Sequence, residues 1–152
     1  MNAQELIAYL TRKQVRATFE AARRLPADKL GWKPAPSSRS ALDQLQELAT
    51  AVTQFWSLYT TGKMEWDSEV HQNWYVERAK ITDLDELERM AAADTEKMAE
   101  FFAKMPAEQL ETVVHLPFPG EYKMADIMCY HYWNAAYHEG QINYIASLLE
   151  EA

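Results

Sequence analysis

Apolar side chains between Leu42 and Tyr59 fall at Leu42, Leu45, Ala49, Val52, Trp56 and Tyr59, with spacings of 3, 4, 3, 4 and 3. That alternation predicts one helix with a single stripe facing a bundle core. Ser38 or Ser40 is its expected cap, and Gly62 marks its end. The same rhythm returns at Leu84, Leu87, Ala91, Asp94, Met98, Phe101 and Met105. Thr82 can cap this helix, Asp83 and Asp85 suit its positive end, and Pro106 stops it. Asp94 interrupts the apolar stripe, so it belongs either at a wet edge of the core or in a functional cavity. A looser stripe of Leu6, Ile7, Leu10, Val15, Phe19 and Ala22 predicts a first helix from about Asn2 to Arg24. A last helix is expected from about Lys123 to Leu149.

The connections differ in kind. Pro26 to Ser38 holds Pro34 and Pro36, which remove backbone donors and disfavour helix in the residue before them. Lys63 to Ile81 is read as a long linker carrying Trp66, His71, Trp74 and Tyr75, packed over the bundle as a pocket wall or a lid. Thr112 to Leu116 alternates weakly and reads as a short extended piece, after which Pro117-Phe118-Pro119-Gly120 turns the chain. The predicted fold is all-α: a four-helix bundle spanning 1–152 as one domain. It has long connections between helices 1 and 2 and between helices 2 and 3, and a short extended segment before helix 4.

Composition narrows the partners. The chain has 152 residues and 48% hydrophobic content. A chain of that size can bury a core without a disulfide or a metal. Its single cysteine, Cys129, fits a reducing compartment. No apolar run is long enough to span a bilayer, and the N-terminus lacks a secretory pattern, so a cytoplasmic protein with no membrane partner is expected. The net charge of −8 argues against nucleic acid. Residues 1–40 are nevertheless basic, with eight Lys and Arg against three Asp and Glu. That asymmetry reads as a solvated charged face, or as one that meets an anionic ligand or an acidic surface of another subunit.

Candidate chemistry gathers on helix 4. There is no Gly-rich phosphate loop, no cysteine pair spaced for zinc, no Gly-x-Ser-x-Gly elbow and no pair of Glu-x-x-His motifs. His131, Asn134 and His138 share one face, and Asn134 and His138 stand one turn apart, the spacing at which a helix offers two side chains to one metal. His131 and His138 are separated by ~10.5 Å along the axis, the limit for two imidazoles on one ion. A plain hydrogen bond between a partly buried histidine and asparagine accounts for the same pattern. Glu47 lies nearly opposite Leu45 and Val52 on its helix, so periodicity makes it a solvated glutamate. Cys129, beside the aromatic run Tyr130-His131-Tyr132-Trp133, reads as a small core residue rather than a nucleophile.

Several pieces in order resemble the DinB-like superfamily of bacterial four-helix bundles. They are Leu30-Gly31-Trp32-Lys33-Pro34-Ala35-Pro36, Ser37-Ser38-Arg39-Ser40, Leu45-Gln46-Glu47-Leu48, Leu116-Pro117-Phe118 and His138-Glu139-Gly140-Gln141-Ile142. The resemblance implies a site for one divalent metal held by three histidines. It sets the helix 2 ligand on Glu47 and the helix 4 ligands on Asn134 and His138, of which only His138 keeps the histidine. The implied cofactor is one divalent ion (zinc, nickel or manganese), or none, with a metal-free polar network in its place. The implied activity is thiol-dependent transfer or hydrolysis in a cavity lined by Tyr137, Trp74 or Tyr75. The alternative is a non-catalytic bundle that takes a small molecule or serves as an interaction module. A homodimer, with a small-molecule or thiol ligand, is the implied set of partners.

Overall fold

The computed structural model describes residues 1–64 and 66–151, and among them it is mostly helical. Helix α1 (Ala3–Arg23) opens on a capping box. The Asn2 side chain accepts from the Glu5 amide at 2.8 Å, and Glu5 accepts from the Asn2 amide at 2.9 Å. A single 3-10 turn (Ala27–Lys29) and the proline-rich connector lead to α2 (Ala41–Gln54). Ser40 caps α2, its hydroxyl accepting from the Asp43 amide at 3.1 Å. Helix α5 (Leu84–Ala103) is capped by Asp83 rather than Thr82, and α6 (Met124–Glu151) closes the chain. Helix α1 packs on α5 and α6, and α2 packs on the same two.

Two expectations change. The helix foreseen through Tyr59 breaks at Phe55 (φ −103°, ψ 26°), so that a separate α3 (Trp56–Thr61) follows α2. Near the break, Asp94 reaches across from α5 to accept from the Thr53 amide at 3.0 Å and the Thr53 hydroxyl at 2.7 Å. Asp94 is buried, and its place on the apolar stripe is explained by these two bonds. The second change lies in residues 63–81. They contain a helix, α4 (Ser68–Arg78), which Asp67 caps by accepting from the Glu69 and Val70 amides. Only Trp74 and Arg78 of α4 are buried, which is why no apolar rhythm announces it.

Gly62 ends α3 in the left-handed region, at φ 68°. That conformation costs a residue with a Cβ more. The chain then pairs briefly with a distant segment: the His115 amide donates to the Gly62 carbonyl at 2.8 Å and the Met64 amide to the His115 carbonyl at 2.9 Å. The extended piece expected before the last helix is a two-residue strand, β1 (Val113–Val114), antiparallel to β2 (Tyr122–Lys123). Together these ties hold residues 62–64 and 113–123 over one end of the helices.

The buried apolar residues form two clusters. One centres on Phe19, Leu45, Leu48, Leu87 and Ile142, and the other on Val52, Met98, Phe102 and Met128. Burying one such large side chain is worth roughly 1.5–3 kcal/mol. Polar residues mark the boundary. On α5 Thr95 falls between Ala91 of the first cluster and Met98 of the second, and on α6 His131 falls between Met128 and Ala135. The Thr95 hydroxyl and His131 Nε2 meet there at 3.2 Å.

Candidate functional site

Arg39, Asp43 and Glu47 recur every four residues, so the start of α2 and the residue before its cap present a ladder of alternating charge on one face. Helix α4 covers that face with Arg78. Arg39 Nε meets Asp43 Oδ2 at 2.5 Å, and its Nη1 meets Glu47 Oε2 at 2.7 Å. Arg78 Nη2 meets Asp43 Oδ1 at 2.9 Å, while its Nη1 stands 3.6 Å from Glu47 Oε2 and makes no hydrogen bond among the described residues. Two carboxylates are thus clamped between two guanidinium groups. Arg78 is 2% exposed, with its Cζ 4.4 Å and 4.2 Å from the ring centres of Trp74 and Tyr75. A planar, weakly hydrated cation suits such stacking. Trp74 is itself fastened by its Nε1–H, which donates to the Thr50 hydroxyl at 2.9 Å.

The other oxygen of Glu47 faces α6. Its Oε1 lies 3.3 Å from His138 Nε2 and 3.4 Å from Asn134 Nδ2. The residues assigned together by resemblance, Glu47, Asn134 and His138, therefore do converge. The Glu47 side chain is 15% exposed. Its burial works to raise the pKa. The His138 bond and the charges of Arg39, His138 and Arg78 outweigh that and hold the carboxyl down at about 2. His138 and Asn134 are also buried. The second ring nitrogen of His138, Nδ1, is 2.9 Å from Gln44 Oε1. Both ring nitrogens thus face side chains that hold them by hydrogen bonds, and the orientation of the Gln44 amide decides whether Nδ1 donates or accepts.

Sequence reasoning missed Arg39, Asp43, Gln44 and Arg78, and it misjudged Glu47, which is not solvated. The physical cause is α4: a helix laid over the polar side of α2 turns that side inward, and nothing in the periodicity of α2 reveals the cover. The charge ladder at residues 39, 43 and 47 was the one available signal. Cys129 is a further correction. It is exposed, because one step along α6 from buried Met128 turns it off the core face. Partial burial and the nearby Asp126 raise its thiol pKa, the opposite of what a nucleophilic thiolate needs.

Beside Glu47 opens a cavity of about 420 Å³. Trp74 and Tyr75 line it as expected, with Phe55, Trp66, His71 and Phe118 completing a largely aromatic wall. Tyr137 does not line it; that side chain is 51% exposed on the outside of α6. The better-buried lining residues, Val52, Leu58, Tyr59, Ile127 and His131, form its inner end, while exposed Trp66, Tyr75 and Phe118 mark its mouth. No lysine or arginine is among the described residues that line it. Among the described residues, no three His, Cys, Asp or Glu side chains come close enough together to share a metal ion.

The helical architecture agrees with comparison to known proteins. The chain belongs to the DinB family, whose model matches residues 1–149. Its fold is similar to that of a DinB-like protein, YjoA, from Bacillus subtilis, at 19% identity with a TM-score of 0.63, covering 95% of this chain and 92% of that one. It is also similar to the mycothiol-dependent maleylpyruvate isomerase, at 11% identity and TM-score 0.66, covering 93% of this chain and 61% of the isomerase. A third similar structure is the colibactin self-resistance protein ClbS in complex with double-stranded DNA, at 9% identity and TM-score 0.66, covering 95% of each chain. No curated protein matches the sequence. At these identities the structural likeness speaks for the fold. Since one relative by fold was solved on DNA, the expectation against nucleic acid rests here on charge alone. No described helix is long and apolar enough to cross a membrane.

Proposed function

We propose that this chain is a metal-free member of its family that binds a small molecule in the aromatic-lined cavity, with Glu47, Asn134 and His138 serving as a structural polar network beside it. The observation that carries the reading is the occupation of Glu47. One of its oxygens is taken by Arg39 at 2.7 Å, with Arg78 at 3.6 Å, and the other by His138 and Asn134. The residues present do not fit the divalent ion that the family resemblance implies. One imidazole, one amide and one carboxylate already bound by a guanidinium form a poor donor set for zinc or nickel, which favour several nitrogen or sulfur ligands. A divalent cation would also stand close to two guanidinium charges that neutralise the only carboxylate of the set. Arg39 and Arg78 supply the positive charge that balances Glu47.

The cavity supports the binding half of the reading, since ligand pockets are typically concave, mostly apolar and provided with few polar groups. A homodimer belongs to the same reading. Tyr130, Trp133, Tyr137 and Tyr144 lie exposed along α6, and Trp133 stacks on Tyr137 at 5.5 Å. Such an apolar ladder suits a second copy. The net charge of −8 weighs against DNA as the ligand.

The test is metal content. Protein purified without a metal-binding tag is soaked with zinc or nickel, dialysed and analysed by mass spectrometry. Far less than one equivalent is expected. A full equivalent that survives dialysis would overturn the reading and favour a divalent-metal-dependent, thiol-dependent transferase or hydrolase, as the fold likeness to the mycothiol-dependent isomerase would allow.

A further inference from the structure

The inner end of the cavity carries two deeply buried polar side chains with unused hydrogen-bonding capacity. His131 is 1% exposed and Tyr59 is 4% exposed, and both line the cavity. The shorter of the two bonds at Thr95 selects the tautomer of His131 that the network favours. The Thr95 hydroxyl donates its only proton to the Ala91 carbonyl at 2.7 Å. Its oxygen can therefore only accept from His131, 3.2 Å away. The ring then carries its proton on Nε2. Nδ1 is left as a lone-pair acceptor with no hydrogen-bond partner among the described residues. Burial lowers the pKa of this ring to about 4, so it is neutral at physiological pH. The Tyr59 hydroxyl likewise makes no hydrogen bond among the described residues. Its ring is held by stacking on Trp56 at 5.4 Å and by the edge of Phe102 at 5.9 Å. Among the described residues Arg78 Nη1 is the one fully buried polar side-chain atom without a partner, so His131 Nδ1 and the Tyr59 hydroxyl keep accessible surface, and the space they line is the cavity.

Charge then selects among ligands. An anion would meet the carboxylates of Glu47 and Asp126 and no lysine or arginine among the described lining residues. A cation would need a free carboxylate to offset its desolvation. Glu47 is already bound by Arg39, and Asp126 is solvent-exposed, unlike the buried His131 and Tyr59 of the inner end. The walls favour a planar apolar body, because Trp74, Phe55 and His71 already pack edge-on or tilted against one another around the space.

We propose that the cavity takes a neutral aromatic ligand bearing a hydroxyl group, which donates to His131 Nδ1 and pairs with the Tyr59 hydroxyl, while the ring system stacks among the aromatic walls. This rests on the reading of the cavity as a metal-free binding site. His131 and Tyr59 would then be specificity-determining residues, and the Thr95 hydroxyl a positioning group that sets the tautomer.

The experiment compares four probes of one shape by calorimetry on the full chain: 2-naphthol, naphthalene, 2-naphthoate and 2-naphthylmethylammonium. The naphthol should bind about tenfold more tightly than naphthalene, the worth of one or two net hydrogen bonds. Tyr59→Phe and His131→Phe should each reduce that preference and leave naphthalene binding in place. Nitrogen-15 NMR of the unmodified protein keeps the test independent of variant folding: the His131 Nδ1 resonance should be that of a bare acceptor and move when naphthol, but not naphthalene, is added. Tightest binding of the naphthoate or of the ammonium would overturn the proposed ligand class. So would equal affinity for naphthol and naphthalene, though the cavity would stand as a binding site. Binding of none of the four would overturn both the ligand class and the small-molecule reading, whereas tight metal loading would overturn the metal-free reading alone.

Discussion

Replacing Glu47 with glutamine removes one charge and keeps the shape. The parent carboxyl is held from 4.5 down to about 2. Such a shift corresponds to about 3 kcal/mol of folding stability at neutral pH. The side chain is 15% exposed. Solvent screening therefore takes only a modest part of this contribution. For a chain of this size, such a loss lowers Tm by about 6–12 °C. The pH dependence has a definite sign. A depressed carboxyl stabilises the fold fully above its unfolded pKa and loses that contribution as pH falls through its folded value. Urea unfolding of the parent and of Glu47→Gln should therefore differ by a constant amount at and above about pH 6. The difference should shrink steadily between about pH 4.5 and pH 2, where the parent glutamate becomes protonated and resembles the amide. A difference below about 1 kcal/mol at neutral pH, the range of exposed ion pairs, would refute the argument that the two arginines and His138 act on a desolvated carboxylate. So would a difference that grows on acidification.

Asp94→Ala removes the carboxylate that accepts from the Thr53 amide and hydroxyl. It should cost about 1–3 kcal/mol in the same urea assay, and near-neutral stability would show that the bonds at the end of α2 are dispensable. Cys129 should react with iodoacetamide more slowly at neutral pH than an unstructured cysteine peptide, its rate still climbing above about pH 9; a plateau by neutral pH would contradict the raised thiol pKa. The double change Glu47→His with Asn134→His rebuilds three imidazoles where α2 and α6 converge. It should bind nickel or zinc tightly and gain thermal stability when metal is added, and a Tm indifferent to metal would count against the convergence of these positions.

The helices that build the body were legible where apolar spacing is dense. The stripe from Leu84 to Met105 marks α5, and Pro106 ends it as expected. The break at Phe55 was invisible because Trp56 and Tyr59 continue the 3–4 rhythm of α2 in sequence while turning onto a separate helix in space. Helix α4 escaped notice because two buried side chains among its 11 residues make no pattern. That omission propagated into the site. Without α4 there is no second partner for Asp43 and no second cation near Glu47. His138 and Asn134 were found because their spacing on one helix is local information. Glu47 was tied to them by resemblance, since contacts between residues 47 and 138 depend on how α2 and α6 pack.

The way α4 is fastened has a consequence for how the molecule breathes. Most of the body is held by interdigitated apolar side chains, whose attraction hardly changes with salt. Helix α4 is held instead by the Arg78 pairs with Asp43 and Glu47 and by the hydrogen bonds of Trp74 to Thr50 and of Gln46 to the Ile81 carbonyl. Asp43 is 34% exposed, so rising ionic strength reaches this joint, though less than it would an open ion pair. Amide hydrogen exchange along Ser68–Arg78 should accordingly quicken in concentrated sodium chloride while α1 and α6 keep their protection, making α4 a hinged panel whose opening exposes Trp74 and the cavity behind it.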